Sequence, residues 1–169
     1  YHLAVGIERV QKILLVIIND VERDEIEDFL EKIKSHNHMM LHGKIKEKVN
    51  ISFSKEQNDL LNLLSEFYNA ERYARFNFFS YNFKDRDLLT EYVQKYCKNI
   101  SFDYSLCKKT PLNTDEVKEF FGRVIGRLCQ KYYKLIEEES RNRNIYCYEL
   151  RYNSAAERVF CGNEDKGSY

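Results

Sequence analysis

The segment that follows the longest predicted helix holds a group of side chains that could carry chemistry. Arg141 and Asn142 stand together, and Tyr146 and Tyr148 come shortly after them. A guanidinium binds phosphate oxygens through paired N–H groups, and a phenol donates or accepts a hydrogen bond. This segment is therefore the first candidate for a functional site. In the structural alternative, Asn142 and Asn144 end the helix and the tyrosines pack against it.

A basic ridge precedes this segment on the same predicted helix. Beside an apolar stripe, cationic residues follow one another at spacings of three, four or seven: Arg123, Arg127, Lys131, Lys134 and Arg141. Residues at these spacings share one face of an α-helix. With Arg143, and with Arg72 in its aromatic setting, they are candidate nucleic-acid contacts. Glu71 and Arg75 are better explained as an ion pair that fixes helix packing.

The run RNRNIYCY, from Arg141 to Tyr148, resembles the R-N-x-x-x-H-x-Y motif of HEPN-domain proteins. These are helical ribonuclease modules of toxin–antitoxin, CRISPR and phage-defence systems. Tyr146 stands where the family has its catalytic histidine. The N-terminal run GIERVQK, and KSHN at 34–37, are also similar to the G-I-E-R-L-x-K helix and K-x-G-H-N/D-L turn that open many HEPN-like chains.

The resemblance implies an all-α, HEPN-like bundle of about five to six helices with a short C-terminal appendage, acting on RNA in a bacterial defence or toxin–antitoxin setting. In the family, arginine and histidine from two protomers converge on a phosphodiester, which the 2′-hydroxyl attacks without a metal. The resemblance therefore implies a homodimer and the catalytic set Arg141, Asn142, Tyr146 and Tyr148. The roles it implies are phosphate contact for Arg141, orientation or helix capping for Asn142, and hydrogen bonding for the two tyrosines. Tyrosine, with a reference pKa near 10, transfers protons poorly at neutral pH. The chain is therefore expected to be either a degenerate RNA-binding protein or a nuclease with altered residues.

The competing hypothesis is a non-enzymatic interaction module, either a homodimer or a partner of a larger complex. Gly122 and Gly126, four residues apart, would let another helix approach closely. The chain is also rich in tyrosine, a residue favoured at interfaces. Both observations are compatible with a partner protein and require no substrate.

Metal and cofactor chemistry has little support in the sequence. His36, His38 and His42 cluster, but the H-E-x-x-H pattern would need glutamate where Met39 stands. We expect a solvated polar face there, with no metal and no cofactor. Neither G-x-x-x-x-G-K-[ST] nor G-x-G-x-x-G is present, which argues against common nucleotide-binding loops.

Composition bounds the class of protein. The 169 residues include 27 basic and 27 acidic side chains, 13 Tyr and 11 Phe, but only 6 Gly and 1 Pro. Enough apolar surface is available for a core, while the scarcity of Gly and Pro disfavours a many-stranded sandwich. No apolar run approaches the roughly 20 residues of a membrane span, so no membrane partner is expected. Five cysteines without a C-x-x-C pair, and no signal peptide, favour a cytoplasmic location.

Apolar residues recur at helical spacing through most of the chain, which predicts an all-α fold. A capping box at Ser54 and a Thr114 cap before two acidic residues mark two helix starts. The predicted helices cover 2–19, 22–34, 55 towards 79, 85 or 87 to 96, 115–141 and a final turn capped by Ser154, with a short extended piece at 145–150. We expect one helical domain over 1–161 and a polar, mobile tail at 162–169.

Overall fold

The computed structural model describes residues 2–74, 84–97, 100–103, 110–111 and 113–161; for 68–74, 84–86, 103 and 110–111 it describes the backbone alone. Within them the order is α1 (His2–Ile18), α2 (Ile26–Lys32), α3 (His38–Lys46), α4 (Lys55–Ala74), α5 (Lys84–Tyr96), β1 (Phe102–Asp103), β2 (Thr110–Pro111), α6 (Asp115–Asn142), a 3₁₀ turn (Tyr148–Leu150) and α7 (Ala155–Cys161). The all-α class is confirmed, while the HEPN-like bundle stays a prediction. The two strands form a short antiparallel ladder with Phe102 opposite Pro111.

The helices enclose one continuous apolar core. Helix α1 packs against α3 and α6, α4 packs against α3 and α5, and α7 packs against α6. Side chains from α1, α3, α4, α5 and α6 meet in this core, with Leu14, Leu41, Leu61 and Leu128 among those fully enclosed. Helix α6, the longest of the described elements, therefore has one face in the core and the other facing outward.

The three helix starts predicted from capping residues are confirmed. The Ser54 backbone N–H donates to Gln57 Oε1 at 3.0 Å, and the Gln57 N–H donates to Ser54 Oγ at 3.3 Å, which completes the capping box. Thr114 Oγ1 accepts from the Val117 N–H at 3.4 Å. Ser154 Oγ accepts from the Glu157 N–H at 3.0 Å.

Helices α1 and α6 end without glycine. Asp20 and Asn144 take left-handed backbone angles, with φ of 51° and 54°. The backbone N–H groups of each of these residues and of the residue after it donate back into the last helical turn. In α6 the hydrogen bonds run from Asn144 N to Arg141 O and from Ile145 N to Ser140 O. This is the Schellman pattern, in which Asp or Asn replaces the usual glycine. A chain with few glycines thus ends its helices on short polar side chains.

Several predicted boundaries are wrong. Helix α2 is shorter than the predicted 22–34, and α3 was absent from the prediction, so the described residues hold seven α-helices rather than five or six. The predicted extended piece at 145–150 contains a 3₁₀ turn, with Cys147 and Arg151 extended on either side of it. The predictions that fall on Arg75, Phe79, Cys107 and the tail at 162–169 lie outside the described residues.

The buried face of helix α1 is not purely apolar. Its buried residues are Ala4, Ile7, Glu8, Gln11, Leu14, Leu15 and Ile18. Gln11 is fully buried while Ile13 is half exposed, so apolarity alone does not determine which side chains of α1 enter the core. Gln11 has a polar partner across the core.

That polar partner is Tyr132 on α6, which belongs to a buried hydrogen-bond network. Gln11 Nε2 donates to the Tyr132 hydroxyl and to the His38 carbonyl, both at 2.9 Å. Gln11 Oε1 lies 3.0 Å from Nδ1 of His38, and the Tyr132 hydroxyl lies 2.9 Å from Nδ1 of His42. The His38 backbone N–H donates to Ser65 Oγ at 2.9 Å. Helices α1, α3, α4 and α6 are therefore joined by one polar cluster.

The prediction of a solvated histidine face is wrong for His38 and His42. Both are buried, and the His42 ring stacks on Phe53 at a centroid distance of 4.4 Å. The periodicity of the short α3 gave no strong apolar signal because its inward face is itself partly imidazole. His36 is different, since its Nδ1 lies 2.8 Å from Glu8 Oε2 at the edge of the core.

Burial keeps both core imidazoles neutral. It lowers the pKa of His38 to about 4, against a smaller raising effect of Glu8. Burial also lowers the pKa of His42 to about 4, with a further lowering by Lys46. Nε2 of His38 is buried and has no hydrogen-bond partner among the described residues, so a proton added there would lack an acceptor.

Replacing Tyr132 with phenylalanine is expected to lower the free energy of unfolding by about 2 kcal/mol. The ring is kept, but Gln11 and His42 lose their shared buried partner. Urea unfolding at neutral pH measures the effect. Tyr133→Phe is the matched control, because it removes one hydrogen bond to Glu149 O at a partly buried site and should cost about half as much or less. Equal losses would contradict a central role for the network.

Stability is expected to fall as the pH drops from about 6.5 towards 4. The unfolded chain binds protons on His38 and His42 throughout this window, while the folded chain does not. The loss amounts to at most about 3 kcal/mol per pH unit for the two together. The pKa of Glu8 is lowered by its hydrogen bonds to Lys12 and His36, against burial, so its own contribution disappears only below its ordinary value of 4.5. Urea midpoints that stay constant between pH 6.5 and 4.5 would contradict this assignment.

Candidate nucleic-acid interface

An open cationic cleft lies between the outward face of α6 and the beginning of α4. Its volume is about 330 Å³. Arg123, Arg127 and Lys131 supply the cations along α6, and the first turn of α4 forms the opposite wall with its capping box. Glu56 is the acidic residue of the lining, so the formal charge is three positive against one negative. Such a concave positive surface can take an anion of phosphate size.

Lys131 fastens the two walls of the cleft together. Its ammonium donates to the Ser52 carbonyl at 2.7 Å and to Gln57 Oε1 at 3.2 Å, and lies 5.3 Å from the centre of the Phe53 ring. The Gln57 oxygen thus serves the α4 capping box and Lys131 at once. Lys131 therefore sets the geometry of the cleft in addition to contributing charge.

Arg123 and Arg127 present their side chains to solvent along the cleft. Both are exposed, and the Arg123 guanidinium carbon lies 5.8 Å from the centre of the Phe120 ring. The two residues are one helical turn apart, so they can contact successive phosphates of one strand. These two guanidinium groups are the part of the predicted ridge best placed for an added ligand.

The rest of the ridge lies farther along α6. Lys134 is close enough to Cys161 on α7 to lower the pKa of that thiol, although burial raises the pKa more. Arg141 is 18 residues from Arg123, about 27 Å along the helix axis. Its Nη2 donates to Glu137 Oε1 at 2.9 Å, and its side chain is 74% exposed. The structure thus separates Arg141 from the cationic cleft instead of joining them in one site.

Arg143 holds two helix ends together. Its guanidinium pairs with Glu139 on the last turns of α6, and its Nη2 donates to the Ile18 carbonyl at 3.3 Å. The positive charge lies at the C-terminus of α1, where the helix dipole favours it. These hydrogen bonds use N–H groups of the guanidinium and leave fewer of them for a phosphate. Nucleic-acid contact by Arg143 stays a prediction. Asn142 is the exposed last residue of α6.

Tyr146, Tyr148 and Arg151 form an exposed group that we call the tyrosine–arginine patch. The Arg151 guanidinium carbon lies 5.1 Å from the centre of the Tyr146 ring and 4.8 Å from that of Tyr148. Arg151 Nε also donates to the Tyr146 hydroxyl. The tyrosines are 71% and 68% exposed, so the alternative in which they pack against the helix is wrong.

Arg151 is not among the site residues predicted from the sequence. Tyr148 and Arg151 are three residues apart across the 3₁₀ turn, where side chains at that spacing stand one above the other. An extended piece would have placed them on opposite faces. A 3₁₀ turn predicted at 148–150 would therefore have indicated this contact.

Arg72 and the glycine pair are the two other features predicted from the sequence. Arg72 falls within α4, and its side chain lies outside what the structure describes. Gly122 and Gly126 are exposed, and a methyl group added at either position would meet nothing within 4 Å. No described residue of this chain therefore packs against Gly122 and Gly126, and a second chain there stays a prediction.

An apolar groove of about 430 Å³ runs along the other side of α6. Val10, Ile13 and Ile17 of α1 form one wall, and Ile136, Ile145 and Phe160 are among the residues opposite.

Within the described ranges, no cluster of three His, Cys, Asp or Glu side chains is arranged to hold a metal ion. The same part of the chain holds no helix with the length and apolar character needed to cross a bilayer.

In comparisons with known proteins, no family model, curated protein or solved structure matches this chain.

Arg143→Ala is expected to destabilise the fold by about 2 kcal/mol, because Glu139 and the Ile18 carbonyl lose a partly buried cation. Arg141→Ala is the matched control: it also removes an i,i+4 ion pair at the same helix end, but an exposed one, and should change stability by about 0.5 kcal/mol or less. Urea unfolding of both variants measures the difference. Equal effects would show that the two arginines are equivalent.

Proposed function

We propose that this chain is a HEPN-like RNA-binding module and that the cationic cleft is its main contact with the RNA backbone. The observation that carries the proposal is the alignment of Arg123 and Arg127 with Lys131 along one wall of an open cleft. Electrostatic contacts with phosphates dominate the affinity of proteins for nucleic acids. The neutral net charge of the chain does not oppose this, since the cations are locally concentrated.

Arg141 and the tyrosines form a second and separate part of the proposed interface. In the resembled family an arginine and a histidine act together on the scissile phosphate. Here Tyr146 occupies the histidine position, and its hydroxyl already accepts a hydrogen bond from Arg151. This arrangement supports binding better than proton transfer at neutral pH. We therefore propose a module that retains RNA and cleaves it weakly or not at all.

The proposed setting is a bacterial defence or toxin–antitoxin system, and the proposed assembly is a homodimer. Both rest on the resemblance. The alternative, a non-enzymatic interaction module, is favoured by the apolar groove between α1 and α6, whose wall includes the half-exposed Ile13. An apolar surface of this kind is typical of protein contacts.

The double variant Arg123→Ala/Arg127→Ala is expected to weaken the binding of a labelled single-stranded RNA about tenfold or more. Each lost phosphate contact should also reduce the slope of log K against log salt concentration by about 0.7, so the double variant should lose about 1.4. Fluorescence anisotropy at several salt concentrations measures both quantities. A gel of the same RNA after incubation is expected to show it intact.

Lys118→Ala is the control, because Lys118 is an exposed cation on α6 that pairs with Asp115 and does not line the cleft. It should leave the affinity and the slope nearly unchanged. Equal losses in both variants would mean that binding depends on general charge and not on the cleft. No RNA retention, together with a mass in light scattering that rises with concentration, would favour the interaction module instead.

A further inference from the structure

We infer that the tyrosine–arginine patch is a base-stacking platform, so that the RNA bound by this chain is single-stranded with unpaired bases. The inference rests on the proposed function and specifies its substrate class. Unpaired bases stack on tyrosine rings and on arginine planes, whereas the bases of a duplex are already stacked on each other. The cleft alone, which contacts phosphates, would not make that distinction.

The exposure of the two rings is the first observation. Tyr146 and Tyr148 both lie against the guanidinium of Arg151, and each leaves about two thirds or more of its surface in solvent. Most large apolar rings in a chain of this size are covered by the core, as Tyr132 and Tyr92 are. Two exposed rings held against one guanidinium form an arrangement that a planar ligand can extend.

The rigidity of the segment is the second observation. The Glu149 carbonyl, in the middle of the 3₁₀ turn, accepts from the Tyr133 hydroxyl at 3.1 Å and from Ser154 Oγ at 2.6 Å. Tyr133 is buried on α6, and its ring stacks on Phe160 of α7 at 5.3 Å. The backbone that carries the patch is therefore fixed to two helices. A preorganised platform loses little conformational freedom when a ligand binds.

The charge of the patch favours a nucleic acid over a protein partner. Arg151 lies over both rings and supplies a cation next to any base that stacks there, where it can also contact phosphate. Arg141 adds a second exposed guanidinium at the adjoining end of α6. Glu149 is the acidic residue of this segment, and its carboxylate accepts a hydrogen bond from the Cys147 thiol at 2.8 Å. Aromatic planes combined with guanidinium groups are the combination that single-stranded nucleic acids require.

The length of α6 between the cleft and the segment that carries the patch matches one short strand. Arg127 and Asn142 are 15 residues apart on α6, which corresponds to about 22 Å. A stacked strand advances about 3.4 Å per nucleotide, so about seven nucleotides would span the interval. That length lies within the range of single-strand sites on small domains.

The test uses tryptophan fluorescence, because the chain contains no tryptophan. In Tyr148→Trp, the introduced indole keeps an aromatic plane and is expected to be quenched when an oligouridine of about 12 nucleotides binds. In Tyr148→Leu, affinity for this oligonucleotide should fall about tenfold while the salt slope stays unchanged, since no phosphate contact is lost. Binding of a duplex of the same length should be unaffected.

Tyr152→Leu is the matched control. Tyr152 is 93% exposed and carries the same ring, but it is not among the rings that Arg151 covers. Its replacement should change the affinity for oligouridine less than twofold. A twofold or larger loss in this control, equal to that of Tyr148→Leu, would assign the effect to general exposed aromatic surface and overturn the inference.

Failure of the inference and failure of the proposed function give different results. If Tyr148→Trp is unquenched and Tyr148→Leu binds normally while Arg123→Ala/Arg127→Ala still weakens binding, the platform is wrong and the cleft remains. If no variant and no wild-type protein retains RNA, the proposed function fails and the platform fails with it. Unchanged RNA affinity in Tyr148→Leu, combined with loss of self-association in light scattering, would identify the patch as a protein contact.

Discussion

The buried hydroxyl of Tyr132 imposes the constraint on which the rest of the fold depends. A phenol at the centre of a helical core must find polar partners, because an unpaired buried hydroxyl costs several times what a satisfied one contributes. Gln11 and His42 provide those partners from two different helices. Their positions fix the rotation of α1 and α3 about their axes, and α6 cannot turn without breaking both hydrogen bonds.

The orientation of α6 determines where its cations lie. With Tyr132 directed inward, the neighbouring Lys131 reaches across to the first turn of α4 and bonds to Gln57. Arg123 and Arg127 then line the same opening. The cationic cleft is therefore a consequence of the buried network on the opposite face of the helix. A change in the core that rotated α6 would also displace the proposed RNA contacts.

The far end of α6 is organised by a different kind of interaction. Arg143 binds the last carbonyl of α1, and Asn144 turns the chain away in a left-handed conformation. The segment that follows is held by Tyr133 and Ser154 through the Glu149 carbonyl. These contacts bring Tyr146 and Tyr148 together with Arg151 at the surface. The cationic cleft thus lies along the middle of the long helix, and the tyrosine–arginine patch lies beyond its C-terminus.

The sequence by itself determined the all-α class, the helix starts at Ser54 and Thr114, and the cationic face of α6, because these depend on local hydrogen bonds and on periodicity along one helix. It also predicted a role for Tyr146 and Tyr148, which stays a prediction, but it missed Arg151, α3 and the burial of His38 and His42. Only the tertiary structure decided which of the ridge residues share a cleft, which arginine joins two helix ends, and which polar side chains enter the core. Those outcomes depend on partners distant in the sequence, such as Gln11 and Tyr132, and no local pattern encodes a hydrogen bond between residues on different helices.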